Sequence, residues 1–287
     1  MEKTILIGGK AGQGTAVTSH LVGKVFCHLG YYVFNYRDYP SLITGGHNFN
    51  VLTISDKPIF SHKEKCDIIV ALDQKTIELH QKDLNIRGFV LGNKNLKAKK
   101  IVSFDAEALL AKLKAPKIFE NNILLGALFQ ELGVPKDIVF KVIEEEFKNP
   151  EKVKSIQISI EEGYALFQTK EKLAKIGGVK YLISGNEAIC LGAIAAGMDA
   201  YFAYPMTPAT SILTFFEKNQ SKYDIFALQL ENEIGVILSA LGASFAGAKT
   251  MVGTSGGGFA LMTEALSLSG MAELPLVIYL GQRTAPS

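Results

Sequence analysis

Cysteine is scarce in this 287-residue chain, and its placement is uninformative for metal or redox chemistry. Cys27, Cys66 and Cys190 stand far apart with no Cys-x-x-Cys spacing. That excludes an iron–sulfur cluster or structural zinc site built by this chain alone, and it gives no disulfide framework. Long apolar runs are missing too. The longest, Ile234 to Ala248, is broken by Gly and Ser and reads as a buried helix, short of the ~18 residues of a membrane span. The opening MEKTILIGG reads as the start of a strand, not as a basic-then-apolar secretory signal. Nor is there a large excess of one charge. The net is +2, and residues 181–287 carry four basic against eight acidic side chains, leaving 26 (30 less 4) and 20 (28 less 8) for the first 180. That first part is too mixed in sign for a dedicated nucleic-acid binder. The expectation is a cytoplasmic protein with neither nucleic acid nor membrane as partner.

What is present is core-forming sequence. Hydrophobic residues make up 48% and charged residues 20%, which argues against disorder, and the length suits about two domains at ~100–200 residues each. Short apolar runs at Thr4–Ile7, Tyr32–Asn35, Phe49–Ser55, Asp67–Leu72, Gly88–Leu91 and Lys100–Phe104 read as strands. Helical patterns cover Val17–Leu29, Asn121–Leu132 and Lys136–Phe147. Composition turns to Lys, Glu, Pro and Gly around Asn149–Lys154 and at Gln168–Lys180, so residues 171–180 are the best linker, between a domain over 1–170 and another over 181–287. The second repeats the alternation: YLIS, Glu187–Gly197, AYFAYP, Ser211–Lys218, DIFALQL, Glu231–Ala246, KTMVGT, a helix near Leu261–Met271, and PLVIYLG. Both domains read as α/β with parallel sheets. The chain ends just past an apolar strand, where open α/β sheets place ligands, which suggests a truncated chain or a split gene.

In the first domain, Gly8-Gly9-Lys10-Ala11-Gly12-Gln13-Gly14-Thr15 joins a strand to a helix. Gly9, Gly12 and Gly14 would let a backbone approach an anion at the helix N-terminus, or would simply form a tight turn. The loop is neither a Walker A motif nor a clean G-x-G-x-x-G. A second cluster, Thr44-Gly45-Gly46-His47-Asn48, could line the same crevice through Gly45 and Gly46, with His47 as a polar loop histidine.

In the second domain three features occur in order. Tyr204-Pro205-Met206-Thr207-Pro208 follows a strand, and its prolines hold Thr207 in place, either for chemistry or as a helix N-cap. Glu231-Asn232-Glu233 opens an almost wholly apolar helix, so one carboxylate faces a dry interior, where its pKa would rise. Gly253-Thr254-Ser255-Gly256-Gly257-Gly258 lets a flat or charged ligand reach the backbone, at Gly256 and Gly257 above all.

Through these motifs the chain resembles the 2-oxoacid:ferredoxin oxidoreductases, specifically an alpha subunit with the gamma domain fused in front. GGKAGQGTAVT, the Thr44–Asn48 region and DIIVALD are similar to the gamma domain. GNEAICLGAIAAG, YPMTPAT, ENEIG, TSGGGFALMTEAL, ELPLV and GQRTAPS are similar to the pyrimidine-binding domain of thiamine diphosphate enzymes. The last of these departs from the family's Arg-x-Gly-Pro-Ser-Thr-Gly pattern, because Ala285 replaces the glycine and Ser287 ends the sequence.

The resemblance implies oxidative decarboxylation of a 2-oxoacid to an acyl-CoA with electrons passed to ferredoxin, and it leans towards 2-oxoglutarate. It implies that Glu233, with Glu231 second, contacts N1′ of thiamine diphosphate, that Thr207, beside Tyr204 and Pro205, bonds substrate, and that Arg283 pairs with the 2-oxoacid carboxylate. No Gly-Asp-Gly occurs for Mg²⁺ and the diphosphate, and cluster cysteines are absent. The family places Mg²⁺, the diphosphate site and the 4Fe-4S cluster on a partner beta subunit, so no metal site is expected here and the enzyme would be a hetero-oligomer. The first domain would cover the cofactor or help form the CoA site. Competing readings are a non-redox thiamine diphosphate decarboxylase, a non-catalytic binding subunit, and a nucleotide binder resting on the Gly8–Gly14 loop.

Overall fold

The computed structural model describes residues 1–39, 46–168 and 172–282. It divides into two compact units, 1–182 and 183–287. The first unit holds a six-stranded sheet ordered β2 (Tyr32–Asp38), β3 (His47–Ser55), β1 (Glu2–Lys10), β4 (Cys66–Ala71), β5 (Leu84–Asn93), β6 (Ile101–Phe104). β1, β4, β5 and β6 run parallel, whereas β3 is antiparallel to both β1 and β2. The expected parallel sheet therefore carries an antiparallel flank. The long β1–β3 pairing, from Glu2↔Ser55 to Lys10↔His47, sets the glycine loop beside residue 46.

Alternation along β1 assigns the two faces. Ile5 and Ile7 enter the main core with Leu52, Ile54 and Leu91. Leu6 points to the other face, with Ile69, Val90 and Ile77 of α2 (Gln74–His80). On the main face lie α1 (Thr15–His28), α3 (Ala106–Leu113), α4 (Glu120–Glu131), α5 (Lys136–Glu146) and α6 (Pro150–Tyr164). The last is a correction. The Lys/Glu-rich stretch after Asn149 is a helix, capped by the Asn149 side chain on Lys152 N and started by Pro150, with Ile156 and Ile160 buried. Within the expected linker 171–180, backbone groups bond to the first unit. Leu173 N donates to Gly133 O, Ile176 N to Leu29 O and Lys180 N to Cys27 O.

The second unit is a fully parallel four-stranded sheet ordered β10 (Val277–Leu280), β9 (Thr250–Thr254), β7 (Ala200–Ala203), β8 (Phe226–Gln229). Tyr201 and Ala203 face α7 (Gly185–Ala195) and α8 (Thr210–Tyr223). Ala200 and Phe202 face α9 (Glu233–Phe245) and α10 (Gly256–Met271). YLIS is not a strand. Ser184 caps α7 through a reciprocal bond with Glu187, and that local bonding outweighs the β-propensity of the run. Among the described residues no helix is long and apolar enough to cross a membrane.

Candidate functional site

Because all four strands of the second unit point the same way, their carboxyl ends share one edge. The Tyr204 turn leaves β7, Leu230–Asn232 leaves β8, Ser255–Gly257 leaves β9 and Gly281 leaves β10. Leu230 N donates to Ala203 O, and Gly281 N to Thr254 O, so the motifs are sewn together by backbone bonds. Motifs nearly 80 residues apart in sequence thus become neighbours, as expected for a ligand crevice of an open α/β sheet.

Glu233 is the first residue of α9 and is only 7% exposed. Asn232, not Glu233, caps the helix, by accepting from Gly235 N at 2.8 Å. Glu233 therefore has no capping duty, and its carboxylate has no side-chain hydrogen-bond partner among the described residues. It lies against Gly258, where a Cβ would come within 2.9 Å of Glu233 Cγ and Oε1 and would overlap Thr254 Oγ1. The Thr254 hydroxyl is itself fully buried and unpaired. An orphaned, fully buried hydroxyl beside a cradle without a side chain is costly unless a polar ligand completes it. Glu231 is exposed at the start of the same turn, and Gly257 is exposed with open space where a Cβ would stand.

Thr207 is exposed on the turn before α8. The cap of α8 is Ala209, with no side-chain bond, so the helix-cap role considered for Thr207 does not occur. Tyr204 is 37% exposed and Pro205 partly buried beside it. The turn is gripped by Asn186, a residue sequence reasoning missed. Its Nδ2 donates to Pro208 O at 3.0 Å and to Ser211 Oγ at 2.6 Å, and its Oδ1 accepts from Tyr279 OH at 2.8 Å. The only hint was its place one residue into a capped helix. Asn186→Ala should lower unfolding stability by about 1–2 kcal/mol, read as a shift in denaturant midpoint, since three partners lose their bonds together. Arg283 lies outside the described residues.

In the first unit, Gly12 and Gly14 adopt left-handed φ of 90° and 80°, which a glycine alone takes freely. The loop closes on itself: Gln13 Oε1 accepts from Lys10 N, Gln13 N donates to Lys10 O, and Asn121 Nδ2 grips Gln13 O at 2.6 Å. Gly9 packs against Gln13 and Leu72, and Ala11 N donates to Gly46 O. Gly45 lies outside the described residues.

His47 is not a free loop histidine. Its Nε2 is 3.0 Å from His80 Nε2, and His80 Nδ1 is 3.3 Å from Asp83 Oδ2. Asp83 fixes His80 as the Nδ1–H tautomer, so His47 must donate through Nε2. Burial holds both imidazoles below the ordinary 6.5, against the upward pull of Asp83 on His80 and of Asp73 and Asp38 on His47. A lowered histidine pKa means the unfolded chain takes up protons first. Stability should be full above pH 6.5 and fall as pH drops below it towards the folded values. A thermal midpoint that decreases between pH 7 and 5, with both imidazoles titrating by NMR below 6.5, is the expected result.

The three thiols are buried and unpaired, with Cys27 and Cys190 pushed up to about 11 and Cys66 to about 12, so none is a nucleophile at neutral pH. Among the described residues no group of three His, Cys, Asp or Glu could hold a metal ion.

Comparison with known proteins bears directly on this geometry. Residues 4–166 match the family model for pyruvate ferredoxin/flavodoxin oxidoreductase, and residues 191–287 match the thiamine diphosphate-binding model of pyruvate flavodoxin/ferredoxin oxidoreductase. A 2-oxoacid:ferredoxin oxidoreductase alpha subunit from Sulfolobus is 26% identical across 100% of this chain and 55% of its own length. A 2-oxoglutarate synthase subunit KorA from Archaeoglobus fulgidus is 42% identical over 106 residues, 37% of this chain and 31% of its own. In fold, the chain is similar to the 2-oxoglutarate:ferredoxin oxidoreductase of Magnetococcus marinus, solved with 2-oxoglutarate, coenzyme A and succinyl-CoA bound. There the TM-score is 0.86 at 24% identity, over 100% of this chain and 53% of that one. The chain spans about half the length of the curated relatives it matches. With a single family model covering more than half of it, and with the strand-end motifs gathered on one edge, the chain belongs to the pyruvate ferredoxin/flavodoxin oxidoreductase family.

Proposed function

We propose that this chain is the gamma–alpha part of a thiamine diphosphate-dependent 2-oxoacid:ferredoxin oxidoreductase, with a gamma-like domain over 1–170 and a pyrimidine-binding domain over 181–287. With a beta subunit it would convert a 2-oxoacid, 2-oxoglutarate foremost, and CoA into acyl-CoA and CO₂, passing two electrons singly to ferredoxin. The observation that carries this reading is the buried, partnerless Glu233 set against Gly258 at the shared strand edge.

An aminopyrimidine would suit that strand edge. Thiamine diphosphate supplies the electron sink for decarboxylation. Glu233 would hold a proton at ring nitrogen N1′, and that bond would strengthen as the ligand excludes water from it. Gly258 leaves the carboxylate room, and Gly256 and Gly257 let a ligand lie against the backbone. Glu231 stands second in line at the rim. Thr207, beside Tyr204 and Pro205, would donate to substrate, and Arg283 would take its carboxylate in a bidentate pair.

The Mg²⁺, the diphosphate site and the 4Fe-4S cluster would reside on the beta subunit, whose docking is supported by exposed apolar side chains. Leu238 and Phe245 on α9 are 46% and 82% exposed, and Met271 on α10 is 87% exposed. Three unpaired thiols suit a reducing, cytoplasmic setting. The test is viologen or ferredoxin reduction by the native complex purified through this chain. CoA- and thiamine diphosphate-dependent reduction, fastest with 2-oxoglutarate, is expected. A cluster-bearing complex that reduces nothing with any 2-oxoacid would instead make this a non-catalytic binding subunit.

A further inference from the structure

The first unit holds a cavity of about 540 Å³ that the function above does not use, at the carboxyl ends of β4 and β5 beside Gln13. Its volume is in the range of small-molecule sites, ~300–1,000 Å³. Asn93, the last residue of β5, lines it and is 6% exposed. The Asn93 amide lies near Glu120, the first residue of α4, and lowers its carboxyl pKa against the effect of burial. A carboxylate draws the N–H side of an amide, which turns Nδ2 towards Glu120 and leaves Oδ1 facing away from it. Asn93 Oδ1 is then a true acceptor, and it is fully buried with no partner. Such atoms are rare in folded proteins and call for a partner.

The other polar groups divide cleanly. Asp73 is engaged, accepting from Thr76 N and Thr76 Oγ1, and Gln74 is tied to Lys97. Glu120 is half-buried, and burial pushes its carboxyl above the ordinary value. Glu107 stands exposed on the rim. Among the described residues Lys117 is the one cation lining the cavity; it is exposed and acts on Glu120 from a distance, pulling its carboxyl down against the larger effect of burial. The unsatisfied buried capacity is thus all acceptor, with a net negative rim. That disfavours phosphate or carboxylate ligands and favours a donor-rich cation. The remaining wall is aliphatic: Leu72, Leu96 and Leu110.

We propose that this cavity binds a cationic head on an aliphatic stem, a primary ammonium or guanidinium held by Asn93 Oδ1 and Glu120 with its stem along Leu72, Leu96 and Leu110. The head could belong to a free small molecule or to a basic side chain of a partner subunit.

The test is calorimetric titration of the full-length chain with n-butylguanidinium and n-butylammonium, with n-butanol and butyrate as neutral and anionic controls. Binding of the cations alone, accompanied by a shift of the Asn93 side-chain amide signal, is expected. Glu120→Gln, which keeps the shape, should weaken it about tenfold or more. Should that variant fail to fold, Glu107→Gln at the exposed rim should weaken it by a smaller factor. Repeating the titration on the assembled complex distinguishes the sources. Retained binding marks a small-molecule site, and loss only in the complex marks a partner's basic side chain. No binding of either cation, binding of butyrate, or an unmoved Asn93 signal would overturn the proposal.

Discussion

Under the proposed function, replacing Glu233 by glutamine should cut 2-oxoacid-dependent ferredoxin reduction sharply while leaving the stability of the chain close to that of the parent. Glutamine keeps the shape, and no hydrogen bond of the Glu233 carboxylate is lost with it, so the thermal midpoint should change little. Turnover should fall on the order of 10²- to 10⁴-fold, the usual contribution of a positioned acid–base group, because an amide cannot hold the ring-nitrogen proton in the same way. Lost turnover at an unchanged thermal midpoint separates a chemical role from a structural one. A carboxylate that merely supported the fold would lose stability and activity together. Gly258→Ala reaches the same carboxylate from the other side. Its Cβ would overlap Thr254 Oγ1 and crowd Glu233. Activity should drop with Glu233 untouched, and stability should fall by about 1–3 kcal/mol from overpacking, measured by chemical denaturation. If Glu231→Gln rather than Glu233→Gln stops turnover, the two carboxylates exchange roles.

Much of this site was legible because parallel strands announce themselves as short apolar runs, and whatever follows each run must lie on one edge. YPMTP, ENE and TSGGG needed no further geometry to be grouped. That one carboxylate faces inward was also legible, since an apolar helix opens on Glu-Asn-Glu, but the choice of Glu233 over Glu231 came from the family resemblance. Asn186 was not, because its partners Pro208, Ser211 and Tyr279 are distant in sequence and nothing local marks them. Gly258 could not be told from Gly256 and Gly257, since only packing shows which of the three sits under Glu233. The antiparallel β1–β3 pairing was hidden for a related reason: strand direction is settled by partners, not by a strand's own residues. Where expectation failed outright, at YLIS and at the helix after Asn149, a side-chain cap decided the outcome, and one capping residue carries little weight in a reading built on composition.

Gly126→Ala should be among the most damaging single-methyl additions to the first unit. Gly126 in α4 and Gly163 in α6 let the two helix backbones touch. A Cβ on Gly126 would overlap Ile160 O and lie 2.9 Å from Ile160 C and 3.0 Å from Gly163 Cα. One on Gly163 would overlap Ile123 O and lie 2.7 Å from Ala127 N. These obstacles are main-chain atoms, so no rotamer change relieves them and the helices must separate. Separation opens the core where Ile123, Leu124 and Ile160 are completely buried. Alanine gains about 0.5–1 kcal/mol in helix propensity, whereas overpacking costs about 1–3 kcal/mol and more where nothing yields. The net should be a loss of about 2 kcal/mol or more, seen as a lower denaturant midpoint. Gly192→Ala in α7 supplies the opposite case, because among the described residues no atom beyond its chain neighbours and its own helix backbone lies within 4 Å of the added Cβ. There the propensity term acts alone, and stability should rise by about 0.5–1 kcal/mol. The contrast also reaches function, because α4 begins with Glu120 and with Asn121, which grips the glycine loop through Gln13 O. Displacing α4 from α6 should therefore loosen the loop over residues 8–14, read as faster amide exchange at Gln13 and Gly14 in Gly126→Ala than in Gly192→Ala.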